Sequence, residues 1–299
     1  MGSALIHTAV QGISGEGLIT NDSPDTASSS WILRPYGTLG RQFSGVIAPP
    51  IRMFAYGKQD LLNTNNTFRG GVSLFNVSSG GLGVMKIGNS GEPSSIGTAG
   101  SIHTRDNGGS LRYLGPGETS NKAFNFQGSA SYTAIIDGGA NGGLILTGNW
   151  SHREKDTTAR NLVTLKGANA VPCELRGGMD AAYSKLYPFD IVKAGSGTWI
   201  MRHNADRKSE GAFSVTEGTL KFESIDRMYE VSALGTGAMP LDGYAHYLGG
   251  GASEAVFEYI GMAPKRAGGR PIALKGDARI LTSGDVSSSA PPPVWPTIP

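Results

Sequence analysis

Phe75-Asn-Val77-Ser-Ser-Gly80-Gly-Leu82-Gly-Val84-Met-Lys-Ile87 returns 138 positions later as Phe213-Ser-Val215-Thr-Glu-Gly218-Thr219-Leu220-Lys-Phe222-Glu-Ser-Ile225. The match widens without a gap to residues 57–98 against 195–236, with eleven of 42 positions identical. Beyond the quoted stretch the identities are Gly57, Asn66, Arg69, Ser94, Gly97 and Thr98 with Gly195, Asn204, Arg207, Ser232, Gly235 and Thr236. Roughly three or four such matches are expected by accident in a chain this rich in glycine. Leu62 with Ile200, Val84 with Phe222 and Ile96 with Leu234 are conservative pairs in the same register. The offset then drifts to 146, pairing Tyr113 and Gly115 with Tyr259 and Gly261. It drifts again to 148, pairing Phe126, Gly128 and Ala130 with Leu274, Gly276 and Ala278. Small insertions between matched strands belong on the outside of a stacked repeat, where loops tolerate them.

The matched residues have a physical logic. Val77, Leu82 and Val84, like Val215, Leu220 and Phe222, read as strands flanking Gly80 or Gly218, where a positive φ turns a corner. Alternate residues then point inward and stack on their equivalents in the next coil. Elsewhere, too, short alternating segments run straight into turn residues, as in Leu111-Arg-Tyr113, Phe124-Asn-Phe126, Leu144-Ile-Leu146, Thr198-Trp-Ile200, Phe257-Glu-Tyr259 and Ile272-Ala-Leu274. Sustained helical periodicity is absent. Strands of three to six residues are stable only when every edge is paired, which leaves a sandwich, a propeller or a solenoid. The repeat selects an all-β, right-handed parallel β-helix, with a β-sandwich or propeller as the alternative. At about 20–25 residues per coil the chain predicts some 12–15 coils and a stack roughly 60–70 Å long. Residues 1–290 read as one solenoid domain with an internal repeat at about 53–137 and 191–285, followed by a Pro-rich tail over 291–299.

Composition agrees. Of 299 residues 45 are glycine, about twice the usual ~7%, and charged residues at 17% fall below the common ~25%. The formal charge of +2 argues against a nucleic-acid partner. No apolar run approaches the ~18 residues of a membrane span. The single Cys173 excludes an internal disulfide framework and a cysteine-based zinc site. Met1-Gly2-Ser3-Ala4-Leu5-Ile6-His7 carries neither the basic nor the apolar region of a signal peptide, so a secreted or cell-surface setting makes the chain a piece of a larger exported protein.

Asn65-Asn66-Thr67-Phe68-Arg69-Gly70-Gly71 followed by Val77-Ser-Ser-Gly80-Gly-Leu82 resembles the autotransporter-associated β-strand repeat, a Gly-x-Gly-Thr-Leu strand, an Asn-Thr-Tyr-x-Gly-Gly turn and an x-Gly-Thr-Leu strand. Val192-Lys-Ala-Gly195-Ser-Gly197-Thr198-Trp199 with Val215-Thr-Glu-Gly218-Thr219-Leu220 resembles a second copy, and Ser232-Ala-Leu234-Gly235-Thr236 the segment that follows. Asp206-Arg207-Lys208-Ser209 replaces the Asn-Gly-Gly turn in that copy. The resemblance implies a parallel β-helix from a large exported surface or secreted chain.

Chemistry-bearing motifs are sparse. Gly57-Lys58, Gly195-Ser-Gly197 and Gly115-Pro-Gly117 lack the spacing of a phosphate or dinucleotide loop and read as corner turns. Asp137-Gly-Gly-Ala-Asn-Gly-Gly-Leu144 has one carboxylate, too few oxygens for a calcium cage. His7, His103, His152, His203 and His246 stand at no zinc spacing. No Gly-x-Ser-x-Gly elbow is present, and His152-Arg153-Glu154-Lys155-Asp156 reads as a solvated loop. The expectation is therefore no cofactor, no metal and no assigned catalytic residue. A polysaccharide lyase or hydrolase would need carboxylates, alone or with Lys or Arg, clustered in one groove. Its candidates are Asp137, Asp156, Glu174, Asp180, Asp190, Lys193 and Arg202. Trp150, Trp199, Tyr183 and Tyr187 are candidates for a sugar-stacking platform or for core packing. The functional expectation is a non-catalytic structural or adhesive segment, with a carbohydrate-active enzyme or a phage or extracellular fibre component as alternatives. Expected partners are a surface polysaccharide or other solenoid copies. End-to-end association follows because Ala4–Val10 reads as an uncapped strand, while the prolines of residues 290–299 blunt the other end.

Overall fold

A computed structural model describes residues 6–20, 31–75, 80–105, 108–127, 133–152, 161–180, 189–227, 229–236, 246–262 and 270–283. Its strands form three sheets of eight, ten and seven strands plus a two-stranded pair. Every strand pairing is parallel, and partners in a sheet come from successive passes of the chain. Parallel pairing at every strand excludes a sandwich or a propeller, both built on antiparallel neighbours. The protein is a parallel β-solenoid. Among the described residues there is no helix, and so none long and apolar enough to cross a membrane.

Period-2 alternation drives each face. In the first sheet Met53, Val72, Ile102, Phe124, Trp150 and Met179 stack in register and are buried. The second sheet supplies Leu82, Leu111, Ile136, Leu165, Lys193, Val215 and Leu248. The third supplies Leu146, Leu175, Met201, Phe222 and Tyr259. The columns meet in one continuous core.

The coils are fewer and longer than the repeat arithmetic predicts. The longest sheet holds ten strands, a stack of roughly 43 Å at ~4.8 Å per rung, against the expected 12–15 coils. Successive partners in that sheet lie from 18 residues apart (Phe43 and Leu61) to 33 apart (Val215 and Leu248). Loops cause the difference: residues 85–100 take the place of a third-sheet strand, and the loop that follows the third-sheet strand Gly218–Phe222 takes the place of a first-sheet strand.

The aligned copies occupy different faces. Leu82–Val84 is in the second sheet, whereas its match in Gly218–Phe222 is in the third. The offset of 138 therefore spans five coils plus one face. Val77, Gly128 and Ala130 lie outside the described residues. Where the copies are described, their environments agree. Gly80 and Gly218 have φ of 89° and 67°, the left-handed region where a side chain is strained. A Cβ on Gly218 would also overlap the carbonyl oxygen of Gly195 in the coil beneath. Val84 pairs with Tyr113 as Phe222 pairs with Tyr259, and Gly115 and Gly261 each lie against the hydroxyl end of that tyrosine.

Residues 91–98 and 229–236 form the same loop. The Ser94 hydroxyl donates to the Gly97 carbonyl (2.7 Å) as Ser232 does to Gly235 (2.8 Å). The amide of Gly91 donates to the Thr98 carbonyl as Tyr229 does to Thr236, both at 2.9 Å. Tyr229 thereby inherits the φ of its glycine mate, 74° against 84° at Gly91. A buried cation from the next coil closes each loop. Lys122 Nζ donates to the Gly97 and Ala99 carbonyls, and Arg270 Nη2 to the Gly235 and Glu230 carbonyls.

Candidate functional site

Of the candidates for a carbohydrate-active groove, Glu174 and Arg202 meet. Glu174, on the strand Cys173–Leu175, and Glu223 both receive Arg202, whose guanidinium nitrogens lie 2.8 and 2.7 Å from their oxygens. Arg176 adds a second contact to Glu174 at 2.7 Å. The Arg202 hydrogen bond holds the Glu174 carboxyl below its ordinary range, the opposite of what a general acid needs. Asp190 is buried and accepts the Ala212 amide at 2.8 Å. Lys193 occupies the inward column between Leu165 and Val215 and is fully buried. Its ammonium donates to the Ala194, Gly195 and Glu217 carbonyls, and burial pushes it down to about 8. It pins a corner from the inside. Asp156, Tyr183 and Tyr187, and the side chain of Asp180, lie outside the described residues.

Trp150 and Trp199 are fully buried. Trp150 packs against Phe124 and Phe126 with ring centroids 5.7 and 5.4 Å away, and Trp199 donates its indole N–H to the Lys166 carbonyl at 2.8 Å. Neither offers a face to a sugar. His203 Nδ1 meets the Ser224 hydroxyl at 2.9 Å, and His103 Nε2 meets that of Ser101 at 3.0 Å. Cys173 is buried, which pushes its thiol up to about 11. Among the described residues no three His, Cys, Asp or Glu side chains gather where they could hold a metal ion.

One open depression of about 610 Å³ runs over the corner between the second and third sheets. Asp137, Lys166, Ser196 and Glu217 line it above a floor of Gly139, Gly167 and Gly195. Asp137 and Lys166 are register neighbours, and Asp137 already accepts the Gly139 amide at 2.8 Å. The carboxyl that burial pushes upward is elsewhere. Glu118 is occupied by the amides of Ile87 (2.5 Å) and Gly88 (2.9 Å), so it caps a loop.

A second surface is the outer face of the first sheet. Strands Trp31–Pro35, Ile51–Ala55, Val72–Leu74 and Ser101–Thr104 are in register there. Continuing that register aligns Tyr36, Tyr56, Phe75 and Arg105 in one row along the solenoid, each amide donating to the preceding coil. Tyr36 stacks on Tyr56 at 4.6 Å and Tyr56 on Phe75 at 4.2 Å, with interplanar angles of 17° and 13°. The neighbouring outward row carries Arg34, Phe54, Ser73, His103, Asn125 and Ser151. Arg34 lies over the rings of Phe54 (5.4 Å) and Tyr56 (5.8 Å). Arg105 donates to the Ser73 hydroxyl at 3.3 Å and Arg52 to the Gly70 carbonyl at 2.9 Å. Among the described residues none of these three arginines pairs with a carboxylate.

Motif reasoning does not reach this face. Its signal in the sequence is the spacing of Tyr36, Tyr56 and Phe75: intervals of 20 and 19 residues, one coil each, with aromatics at the same step after a strand. Two of the three precede residue 57, where the longer repeat starts, so the repeat does not single them out.

No family model matches the chain, and no solved structure matches it. It is similar to the adhesin BmaC autotransporter of Brucella suis biovar 1 (strain 1330), with 28% identity over 144 residues, 47% of this chain. That stretch is 4% of the relative's length, so the chain spans a small fraction of the protein it matches. The all-parallel stack is consistent with a passenger-type β-helix, the architecture implied by the repeat resemblance.

Proposed function

We propose that the chain is a non-catalytic structural or adhesive β-helix segment of a secreted or cell-surface protein. The observation that carries this reading is the Glu174–Arg202–Glu223 ladder, in which the best-placed carboxylates of the outer surface neutralise a shared cation across three coils. A glycosidase or lyase needs a carboxyl with a raised pKa opposite a free partner. Here the groups are spent on holding rungs together. Similarity to an autotransporter adhesin points the same way. The rival, a polysaccharide hydrolase or lyase, would work in the depression between Asp137, Lys166 and Glu217. The test is incubation of the purified chain with pectin, glucans and chitin, with and without Ca²⁺, alongside attachment of chain-coated beads to cell surfaces. The expected result is attachment with no release of reducing ends. Reproducible release that Asp137→Asn or Glu217→Gln abolishes would overturn the reading.

A further inference from the structure

We propose that the outer face of the first sheet binds an acidic polysaccharide, with Arg34, Arg52 and Arg105 meeting its carboxylates or sulfates and the Tyr36–Phe54–Tyr56 cluster lying against its sugar rings. This rests on the adhesive reading above and names the ligand class and the face.

Charge is the first argument. Three guanidiniums stand together on one face without a carboxylate partner among the described residues, whereas Arg112 is paired with Asp60, Arg202 with two glutamates and Arg279 with Glu254. Arg52 is disfavoured as a cation first by burial and then by the positive charge of Arg105. Like charges held close on a rigid sheet are relieved by an anion. Guanidinium is the side chain whose planar fork suits carboxylate and sulfate oxygens.

The neutral groups on the same rows supply the second argument. Ser73, His103, Asn125 and Ser151 are hydrogen-bonding residues on four successive rungs, Ser73 and Asn125 buried and His103 and Ser151 half-buried, already linked in part, as in Ser101 to His103 along one strand (3.0 Å) and Ser151 to Asn125 (2.6 Å). Rungs recur every ~4.8 Å, so the face repeats its hydrogen-bonding groups along an axis as a polymer of sugars repeats its hydroxyls.

Ring orientation decides against a nucleic acid. Single-stranded nucleic acids bind by laying bases on open aromatic faces. Tyr36, Tyr56 and Phe75 close their faces on one another, with Phe75 buried and Tyr36 42% exposed at the end of the stack. The net charge of +2 likewise lacks the strong basic excess that phosphate backbones recruit.

The experiment uses the full chain and isothermal titration at low and at physiological salt. The probes are heparin, polygalacturonate, neutral dextran and single-stranded DNA. Binding to heparin or polygalacturonate is expected, weakening as salt rises, with none to dextran. Arg34→Gln/Arg105→Gln is expected to lower affinity tenfold or more, and Tyr36→Ala to lower it severalfold, all with an unchanged melting temperature. Arg176→Gln, on the third sheet, is expected to bind as wild type. Should the arginine variant unfold, Arg52→Gln and Tyr36→Ala carry the same test. Absence of acidic-glycan binding, equal binding of dextran, tighter binding of the DNA, or full affinity in the variants overturns the proposal. Cell attachment without acidic-glycan binding overturns this inference alone. Reducing-end release overturns the non-catalytic reading instead, whatever the titrations show.

Discussion

His246 gives the most quantitative expectation. It occupies an inward column of the second sheet, between Phe213 below and Ile272 above, and is wholly buried with its ring 5.5 Å from Phe257. Burial, and then the nearby Arg270 cation, push its imidazole down to about 3 from an ordinary 6.5. The folded state therefore keeps it neutral while the unfolded chain takes up a proton below pH 6.5. The contribution to stability is complete above pH 6.5, falls as pH drops, and levels off below about 3. At pH 4.5 the loss amounts to about 2–3 kcal/mol, because each step of one pH below 6.5 favours the protonated, unfolded chain by ~1.4 kcal/mol. His246→Phe keeps a ring against Phe257 and removes the titration. Urea unfolding of both proteins at pH 7.5 and pH 4.5 isolates the effect, because the carboxylates common to both cancel in the difference. The wild type is expected to lose about 2–3 kcal/mol more than the variant over that interval. Parallel losses would refute the reasoning and place the imidazole in contact with solvent or with a buried anion.

Val215→Asp buries a carboxylate in the inward column between Leu248 and Lys193, whose ammonium is already committed to the Ala194, Gly195 and Glu217 carbonyls, and is expected to cost several kcal/mol in thermal or urea unfolding; Val77, its mate in the alignment, lies outside the described residues. Wild-type melting of Val215→Asp would break the assignment of that column. Tyr229→Gly restores the residue that its sister loop uses at positive φ, and a gain of about 1 kcal/mol is expected by calorimetry; a loss would show that the ring makes contacts that outweigh its strained backbone. End-to-end association is also expected, because the strand Ile6–Val10 pairs only with Trp31–Pro35 among the described residues. Light scattering of the chain at high concentration tests it, and a strictly monomeric chain would mean that the ends are covered.

Much of the architecture was legible because solenoid packing writes itself twice into the chain. Glycines at corners and apolar residues in the columns must recur, as at Gly80 and Gly218 or Val84 and Phe222, so self-similarity locates them without an alignment of relatives. The drift of register from 138 to 148 also has structural content: Lys122 and Arg270, 148 positions apart, close equivalent loops with equivalent hydrogen bonds. The rotation by one face was not legible. Nothing in a one-dimensional offset records where a coil begins, and coils of 18 to 33 residues make face and period independent. The coil count failed for the same reason, since a loop such as 85–100 adds residues without adding a rung.

Function was harder to read because this fold recruits charged residues for its own assembly. Lys193, Arg202, Glu174 and Asp190 carry the residue types of a catalytic groove, yet each is bound to backbone or to an opposite charge on an adjacent coil. A solenoid has polar groups to satisfy at every corner of every coil, and buried cations such as Lys122, Arg207 and Arg270 satisfy carbonyls there without any carboxylate. Residue type alone therefore cannot separate scaffold from site. What separates them is whether the partner is internal. Arg202 finds two carboxylates within its own fold, whereas Arg34 finds two aromatic rings and a tyrosine hydroxyl, and Arg105 a serine. An arginine held over rings keeps its charge available to a ligand at little rotamer cost, because the stack has already fixed the side chain. By that criterion the aromatic face of the first sheet is where the fold's own requirements end and recognition begins.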